Sequence, residues 1–328
     1  MPAFRSKFSK KTFTQPQLLA ALILKAYLRQ TYREAEAWWV ATDCVRGLLQ
    51  LRQAPDHSTL CWFFHHKVNE RLLARLLALC LPPYDPQQNR RRVVTLDSTG
   101  FEAGHCSRYY RWRCGRHGQH GWPKWIIAVW LPLQLICAQR AHGGPSGDFG
   151  ELPPLVTAAR RTLPFGRLLG DAGFASEANH RFCHEVLGIE SILGQFARHG
   201  CAPRTPWRKR LARQSPRRLY RSCWLVETVI SVVKRKFGDA VNARSARRQY
   251  RQLLLLGVVY NVHRRTFVLL VVGQHRLLLR ISTEQHTVHR SGEAAVPRAR
   301  SPACGEESGN LRTAWHRQDS AGSGGHRR

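Results

Sequence analysis

Two short apolar runs in this chain each stop at an aspartate. Val93-Val94-Thr95-Leu96 ends at Asp97, and Leu168-Leu169-Gly170 ends at Asp171, with Ala172-Gly173-Phe174 behind it. Runs of this length and composition read as buried strands. A third carboxylate, Glu227, sits in a helix-like run from Tyr220 to Phe237 that is rich in Arg and Lys. Two carboxylates at strand ends and one on a helix can converge on divalent ions, which favour oxygen ligands. A pair of such ions can clamp the attacking and leaving oxygens of a phosphodiester.

The order of elements narrows the fold. Val93–Asp97, Ser107–Arg113 and Trp125–Leu131 read as three successive strands. A turn at Gly143–Asp148 and a helix over Glu151–Arg161 follow, then the strand Leu168–Asp171. Ser176 caps a helix to Leu187, Gly188 stops it, and Ile189–Leu193 is a further strand. Three strands, helix, strand, helix, strand and a long helix is the order of a ribonuclease-H-like α/β fold. The predicted domain spans 93–265.

Ahead of it, residues 1–83 read as all-α. A basic arm precedes an amphipathic helix over Gln17–Leu28, with Leu18, Leu19, Ala21, Leu22, Leu24 and Tyr27 on its apolar face. Thr31 caps a second helix to Val40. Asp56 or Ser58 caps a third, running through Phe63, Val68, Leu72, Leu76 and Leu79 to Pro82-Pro83. The segment resembles a helix-turn-helix module, a DNA-binding arrangement, although small helical bundles with a packing role look alike. Residues 84–92 read as a polar linker and 196–218 as a Pro- and Arg-rich loop, either a nucleic-acid track or a basic connector. From 266 to 328 periodicity fades, and a disordered tail is expected.

Charge decides the class of partner. A net charge of +31 over 328 residues draws the chain to polyanions, nucleic acid first. The ten cysteines contain no Cys-x-x-Cys pair, so neither a disulfide framework nor a standard zinc ribbon is expected. The apolar stretch Leu253–Val272 is interrupted by Asn261, His263, Arg264 and Arg265, which argues against a membrane span. With no apolar leader after Met1, a cytoplasmic, nucleoid-associated protein is expected.

At 100° per residue, Tyr220, Glu227 and Lys234 fall near one line of their helix, drifting about 20° per step of seven. Cys223 and Ser231 share that face, while Val226, Ile230, Val233 and Phe237 form an apolar stripe about 90° away. A solvated polar face is the bland alternative for such a helix.

These segments together resemble the insertion-sequence transposases of the DDE class. The matching stretches are Leu96-Asp97-Ser98-Thr99-Gly100, Gly170-Asp171-Ala172-Gly173-Phe174 with Ser176-Glu177-Ala178-Asn179-His180, and Tyr220 through Gly238. Thr12-Phe13-Thr14-Gln15-Pro16 and Pro55-Asp56-His57-Ser58-Thr59-Leu60 match as well. The resemblance implies a ribonuclease-H-like core in which Asp97, Asp171 and Glu227 are catalytic and hold two Mg²⁺ or Mn²⁺ ions. It implies that Tyr220 and Lys234 grip phosphates of double-stranded DNA, with Arg221 and Arg235 as further DNA contacts. The substrates would be the element's terminal inverted repeats and target DNA, handled by a homodimer or larger assembly. The chain departs from the family's pattern at Cys223, where an arginine is expected, and at Ala175, where an acidic residue is common. The tail also matches nothing in the family and reads like translation past, or out of frame with, a normal end. A catalytically impaired or dead DNA-binding remnant, and a metal-dependent nuclease without strand transfer, therefore stay open as alternatives.

Other residues carry chemistry that has a bland reading beside it. His105, Cys106, Cys114, His117 and His120 cluster, but not at a standard finger spacing, so loop residues are the favoured reading over zinc. Trp112, Trp122, Trp125 and Trp224 are candidate base-stacking residues, with Trp125 read as core. Asp148 reads as a turn residue, with an extra acidic role as the alternative, and His57 as part of a helix cap.

Overall fold

A computed structural model describes residues 2–4, 10–82, 92–104, 121–131, 133–194, 205–214 and 217–267. The predicted strand Ser107–Arg113, the His/Cys cluster at 105–120 with Trp112, most of the 84–92 linker, residues 195–204 and the tail from 268 lie outside them.

The strands are β1 (Val93–Gly100), β2 (Glu102–Ala103), β3 (Pro123–Trp130), β4 (Leu135–Gly143), β5 (Arg167–Gly170), β6 (Glu190–Leu193) and β7 (Ala240–Val241). Five of them form one sheet in the order β4-β3-β1-β5-β6. β1, β3 and β4 pair antiparallel, whereas β5 and β6 run parallel to β1. This mixed order is the ribonuclease-H-like arrangement that the sequence predicts. The third strand of the antiparallel set is Leu135–Gly143, however, a stretch that the pattern reading left unassigned. Its outer half alternates weakly because Gln139, Arg140 and His142 interrupt the apolar run.

β3 is buried at every position, which explains its unbroken run Trp125-Ile126-Ile127-Ala128-Val129-Trp130. Successive side chains point to opposite faces. Trp125, Ile127 and Val129 join one apolar cluster, and Ile126, Ala128 and Trp130 join the other. The second cluster is closed by α6 (Leu152–Thr162) through Leu152, Leu155, Val156 and Ala159. The first is closed by α10 (Trp224–Phe237), by a terminal helix α11 (246–267) and by the N-terminal helices.

Those N-terminal helices are α1 (Gln15–Tyr27), α2 (Tyr32–Ala41), α3 (Asp43–Leu48), α4 (His57–His66) and α5 (Glu70–Leu79). Thr14 with Gln17 and Thr31 with Glu34 close reciprocal capping boxes at the starts of α1 and α2. Asp56 caps α4 by accepting from the Ser58 N–H. The single helix expected over 57–79 is two. Asn69 is extended and accepts from the Leu72 N–H, so it starts a new helix rather than continuing the old one. The break resets the apolar phase: Leu73 and Leu77 are buried, and Leu79 is exposed. Leu22, Trp39, Leu60, Phe63 and Leu73 share their cluster with Trp125 and Ile127 of the sheet, so these helices and the sheet have a common core.

Three shorter helices lie between these elements: α7 (Glu177–Arg181), extended by a wider turn over Phe182–Val186, then α8 (Pro206–Gln214) and α9 (Arg217–Tyr220). Ser176 caps α7, and Gly188 takes the left-handed backbone (φ 62°) that ends the segment. α8 replaces part of the expected Pro- and Arg-rich loop; Pro206 suits its first turn. The helix expected from Tyr220 to Phe237 is interrupted by a 3-10 turn over Arg221–Cys223. No helix among the described residues is long and apolar enough to cross a membrane.

α11 shows no helical period in the sequence, because it is apolar nearly all round from Leu253 to Tyr260. It lies against the edge strand β4. The buried amide of Asn261 accepts from the Ile136 N–H at 2.9 Å and donates to the Ile136 carbonyl at 2.8 Å. Gln139 reaches both layers, accepting from Trp125 Nε1 at 3.0 Å and donating to the Leu254 carbonyl at 2.8 Å. Gly257 makes this approach possible, since a Cβ there would stand 2.0 Å from Gln139 Oε1. Asn261→Leu should strand two buried backbone groups of Ile136, each worth about 1–3 kcal/mol. A urea melt of the variant should show that loss; an unchanged midpoint would mean that water or a neighbour satisfies Ile136.

Candidate metal centre

β1 and β5 run parallel, with Leu96 paired to Gly170. The next residues, Asp97 and Asp171, therefore stand side by side, between the antiparallel and parallel halves: β5 ends before Asp171, while β1 continues past Asp97, which still pairs with Ile127 of β3. Open α/β sheets bind ligands at such reversals. The Ser98 N–H donates to Asp97 Oδ1 at 2.7 Å, and the Gly173 N–H donates to Asp171 Oδ1 at 3.0 Å, so each carboxylate is held by the backbone that follows it. Glu227 comes from the first turn of α10, exposed, with Val226, Val229, Ile230 and Val233 buried on the opposite side. Asp97 is acted on electrostatically by both Asp171 and Glu227. The three acidic residues picked out in the sequence thus meet at one corner.

Asp148 joins them, which the turn reading did not anticipate. Ser98 Oγ donates to Asp148 Oδ2 at 3.0 Å, and Lys124 Nζ stands 2.6 Å from Asp148 Oδ1. Asp148 acts on both Asp97 and Asp171. A lone Asp in a glycine-rich turn carries no such signal, because its partners lie on β1 and β3.

Partial burial raises Asp97 to about 6, aided by repulsion from Asp171, Glu227 and Asp148 and opposed by the Ser98 N–H. Burial also raises Asp171, against the Gly173 N–H. Cys223 is half-buried behind the carboxylates. Its Sγ lies 3.4 Å from Thr95 Oγ1, and burial, with Asp97, Asp171 and Glu227 nearby, pushes its thiol up. Tyr220 is within electrostatic reach of Asp171, and its hydroxyl packs where a Cβ on Gly194 would stand 2.5 Å away.

Not every predicted contact residue faces this corner. The 3-10 turn shifts Tyr220 relative to the seven-residue count. Lys234 lies over the Phe101 ring at 5.3 Å, Arg235 is exposed with Nε toward the Ser231 carbonyl at 3.4 Å, and Arg221 is exposed. Trp125 is core, as expected, whereas Trp122 and Trp224 are exposed.

The donor set fits a hard divalent ion: carboxylates repel one another here and are all oxygen ligands. They are set wider than a closed cage. Among the described residues, the trio whose ligating atoms all lie within 4.8 Å is instead Glu36, Asp56 and His57. That trio is accounted for by structure. Glu36 accepts from the His57 N–H at 3.1 Å and pairs with His57 Nδ1 at 2.7 Å, and Asp56 caps α4.

The Asp97 shift has a stability consequence. Its folded-state value near 6 lies above the unfolded value of about 4, so the folded chain holds the extra proton between them. Stability without divalent ions should fall as pH rises across that window. Urea midpoints measured from pH 4 to 7 should show this slope, and Asp97→Asn should flatten it; an equal slope in the variant would assign the proton elsewhere.

Comparison with known proteins assigns a family. The chain matches the family described as Transposase DDE domain over residues 88–262, more than half its length. No curated protein matches it. Among solved structures, it is similar to the catalytic core domain of BIV integrase at 12% identity, covering 49% of this chain and 80% of that one, with a TM-score of 0.24. It is similar to the Mos1 transposase paired-end complex with left transposon end at 15% identity, covering 78% of this chain and 79% of that one, with a TM-score of 0.22. Overlaps this shallow leave the assignment to the family match, whose residues span β1 through most of α11. The chain belongs to the DDE transposase domain family.

Proposed function

We propose that this transposase cuts the ends of an insertion element and joins them to target DNA by phosphodiester hydrolysis and transesterification at Asp97, Asp171 and Glu227. The observation that carries the reading is the Leu96–Gly170 register, which sets Asp97 beside Asp171 with Glu227 in electrostatic reach. Two Mg²⁺ or Mn²⁺ ions held by these carboxylates would supply an activated water or 3′-hydroxyl and stabilise the leaving oxygen.

The chain's own residues bind and orient the DNA. A net charge of +31 draws the duplex in. Exposed Arg221 and Arg235 grip phosphates, Tyr220 closes the site from above Gly194, and Lys234 holds a phosphate farther along, near Phe101. α8 extends this track with Arg208, Lys209, Arg210 and Arg213. It is fixed to the core where the Trp207 N–H donates to Glu177 Oε1 at 3.1 Å and the Trp207 ring stacks on His184 at 4.1 Å. Exposed Arg33, Arg52, Arg71 and Arg75 support a DNA-binding role for the N-terminal helices, which recognise the terminal repeats. The protein acts as a homodimer or larger assembly on the paired ends, in association with the nucleoid.

A second reading, an impaired enzyme, is favoured by Cys223. This thiol faces the three carboxylates where an arginine would add a cation and a forked phosphate contact. Losing such a contact costs about 1.5–3 kcal/mol, or roughly tenfold to hundredfold in rate if felt in the transition state.

Asp97→Asn, Asp171→Asn and Glu227→Gln should each abolish Mg²⁺-dependent cleavage and joining of repeat ends while leaving DNA binding intact. Near-normal cleavage by any of them removes that residue from the site, and cleavage without joining by the unaltered chain leaves a nuclease. Cys223→Arg should raise joining of pre-cut ends about tenfold or more. No gain there, together with a collapse in Arg221→Ala, would assign the phosphate contact to Arg221.

A further inference from the structure

Asp148 and Lys124 have no part in the three-carboxylate reading, yet both are built into its corner. Their side chains are 17% and 10% exposed, and their charged atoms stand 2.6 Å apart. Lys124 enters from β3, next to the end of β1, where it pairs with Gly100. Its ammonium also donates to the Ser146 carbonyl at 2.7 Å, which ties down the turn that carries Asp148. The second Asp148 oxygen accepts from Ser98 Oγ, one residue beyond Asp97. On the far side, a Cβ on Gly173 would stand 3.2 Å from Asp171 Oδ1 and 3.4 Å from Asp148 Oδ2. The two carboxylates therefore border the same small space, and Asp148 is linked to Asp97 through Ser98.

A structural ion pair needs none of this. A surface turn would leave Asp148 in water, where pairing it contributes little. Here three elements converge to hold one more negative charge beside charges that already repel. Lys124 makes that arrangement tolerable in the absence of another cation, and Asp171 feels it as well as Asp148.

We propose that Asp148 is a fourth acidic residue of the metal centre and that Lys124 is its built-in counter-ion, competing with a bound divalent ion for that carboxylate. Both act as positioning residues: Ser98 and Lys124 aim Asp148, and Asp148 in turn adds negative charge to the space shared with Asp171. This rests on the reading of Asp97, Asp171 and Glu227 as a metal site, and the test separates the two.

The test is Mn²⁺ binding by the full-length chain, read as the electron paramagnetic resonance signal of free Mn²⁺, with melting temperature as the check on folding. Asp97→Asn should remove binding. Asp148→Asn, nearly the same shape, should weaken it about tenfold or more, in the range of residues that support metal ligands. Lys124→Met should tighten it by removing the competing cation, and Lys124→Arg should keep the unaltered affinity. If Asp148→Asn and Lys124→Met bind Mn²⁺ like the unaltered chain while Asp97→Asn does not, the pair is structural only and the proposal falls, with the three-carboxylate site intact. If Asp97→Asn binds Mn²⁺ normally, the metal site itself is misplaced and the proposal falls with it. Asp148→Asn decides the matter even if Lys124→Met does not fold.

Discussion

The pairing of β1 with β5 is the constraint on which the rest depends. Because the strands are parallel and Leu96 faces Gly170, two chain segments some seventy residues apart deliver their aspartates to one point. A slip of one residue would turn Asp97 to the other face of the sheet. Register is held by burial on both faces: Val94 and Leu96 lie in one cluster with Ile126 and Leu168, and the backing helices close the other. The apolar core thus fixes the position of charges that would not choose to be adjacent.

Those charges are the cost of the arrangement. Partly buried carboxylates beside one another resist ionisation, and Asp97 shows this most. The corner offsets the cost locally, with the Ser98 and Gly173 N–H groups and with the Lys124 ammonium. What remains is mutual repulsion among the carboxylates, the condition that the proposed metal site would relieve by binding cations.

Much of this was legible in the sequence. The apolar runs before Asp97 and Asp171 are visible as strands because they are short and buried, but only β5 ends at its aspartate; β1 continues through the polar residues Ser98 and Thr99 to Gly100, where no apolar pattern marks it. The α10 stripe of Val226, Ile230, Val233 and Phe237 was visible because one face only is buried. Pattern failed where burial is uniform or weak. α11 is apolar around its girth, so it shows no helical period, and β4 mixes Ile136 and Cys137 with Gln139 and Arg140. A side chain can also reset a helix without changing its composition, as Asn69 does between α4 and α5. Asp148 does lie in the turn that the sequence indicates, but its surroundings do not show there. It contacts Ser98, fifty residues earlier, and Lys124 across the sheet, and no local spacing encodes either contact.

Cys223 ties the fold to the question of competence. Its position is set by packing: the turn over Arg221–Cys223 leads into α10, whose apolar stripe is buried against the sheet, and the thiol rests on Thr95. A thiol is small and poorly solvating, so it tolerates this half-buried site but brings no cation of its own to the neighbouring carboxylates. Lys124 neutralises the corner from the β3 side only. An arginine at 223 would bring its cation near Asp97, Asp171 and Glu227, the carboxylates that act on the Cys223 thiol. The same carboxylates that would draw in a divalent ion would hold that guanidinium in place. The chain therefore has the transposase domain of its family with a thiol where the proposed phosphate contact would need a cation.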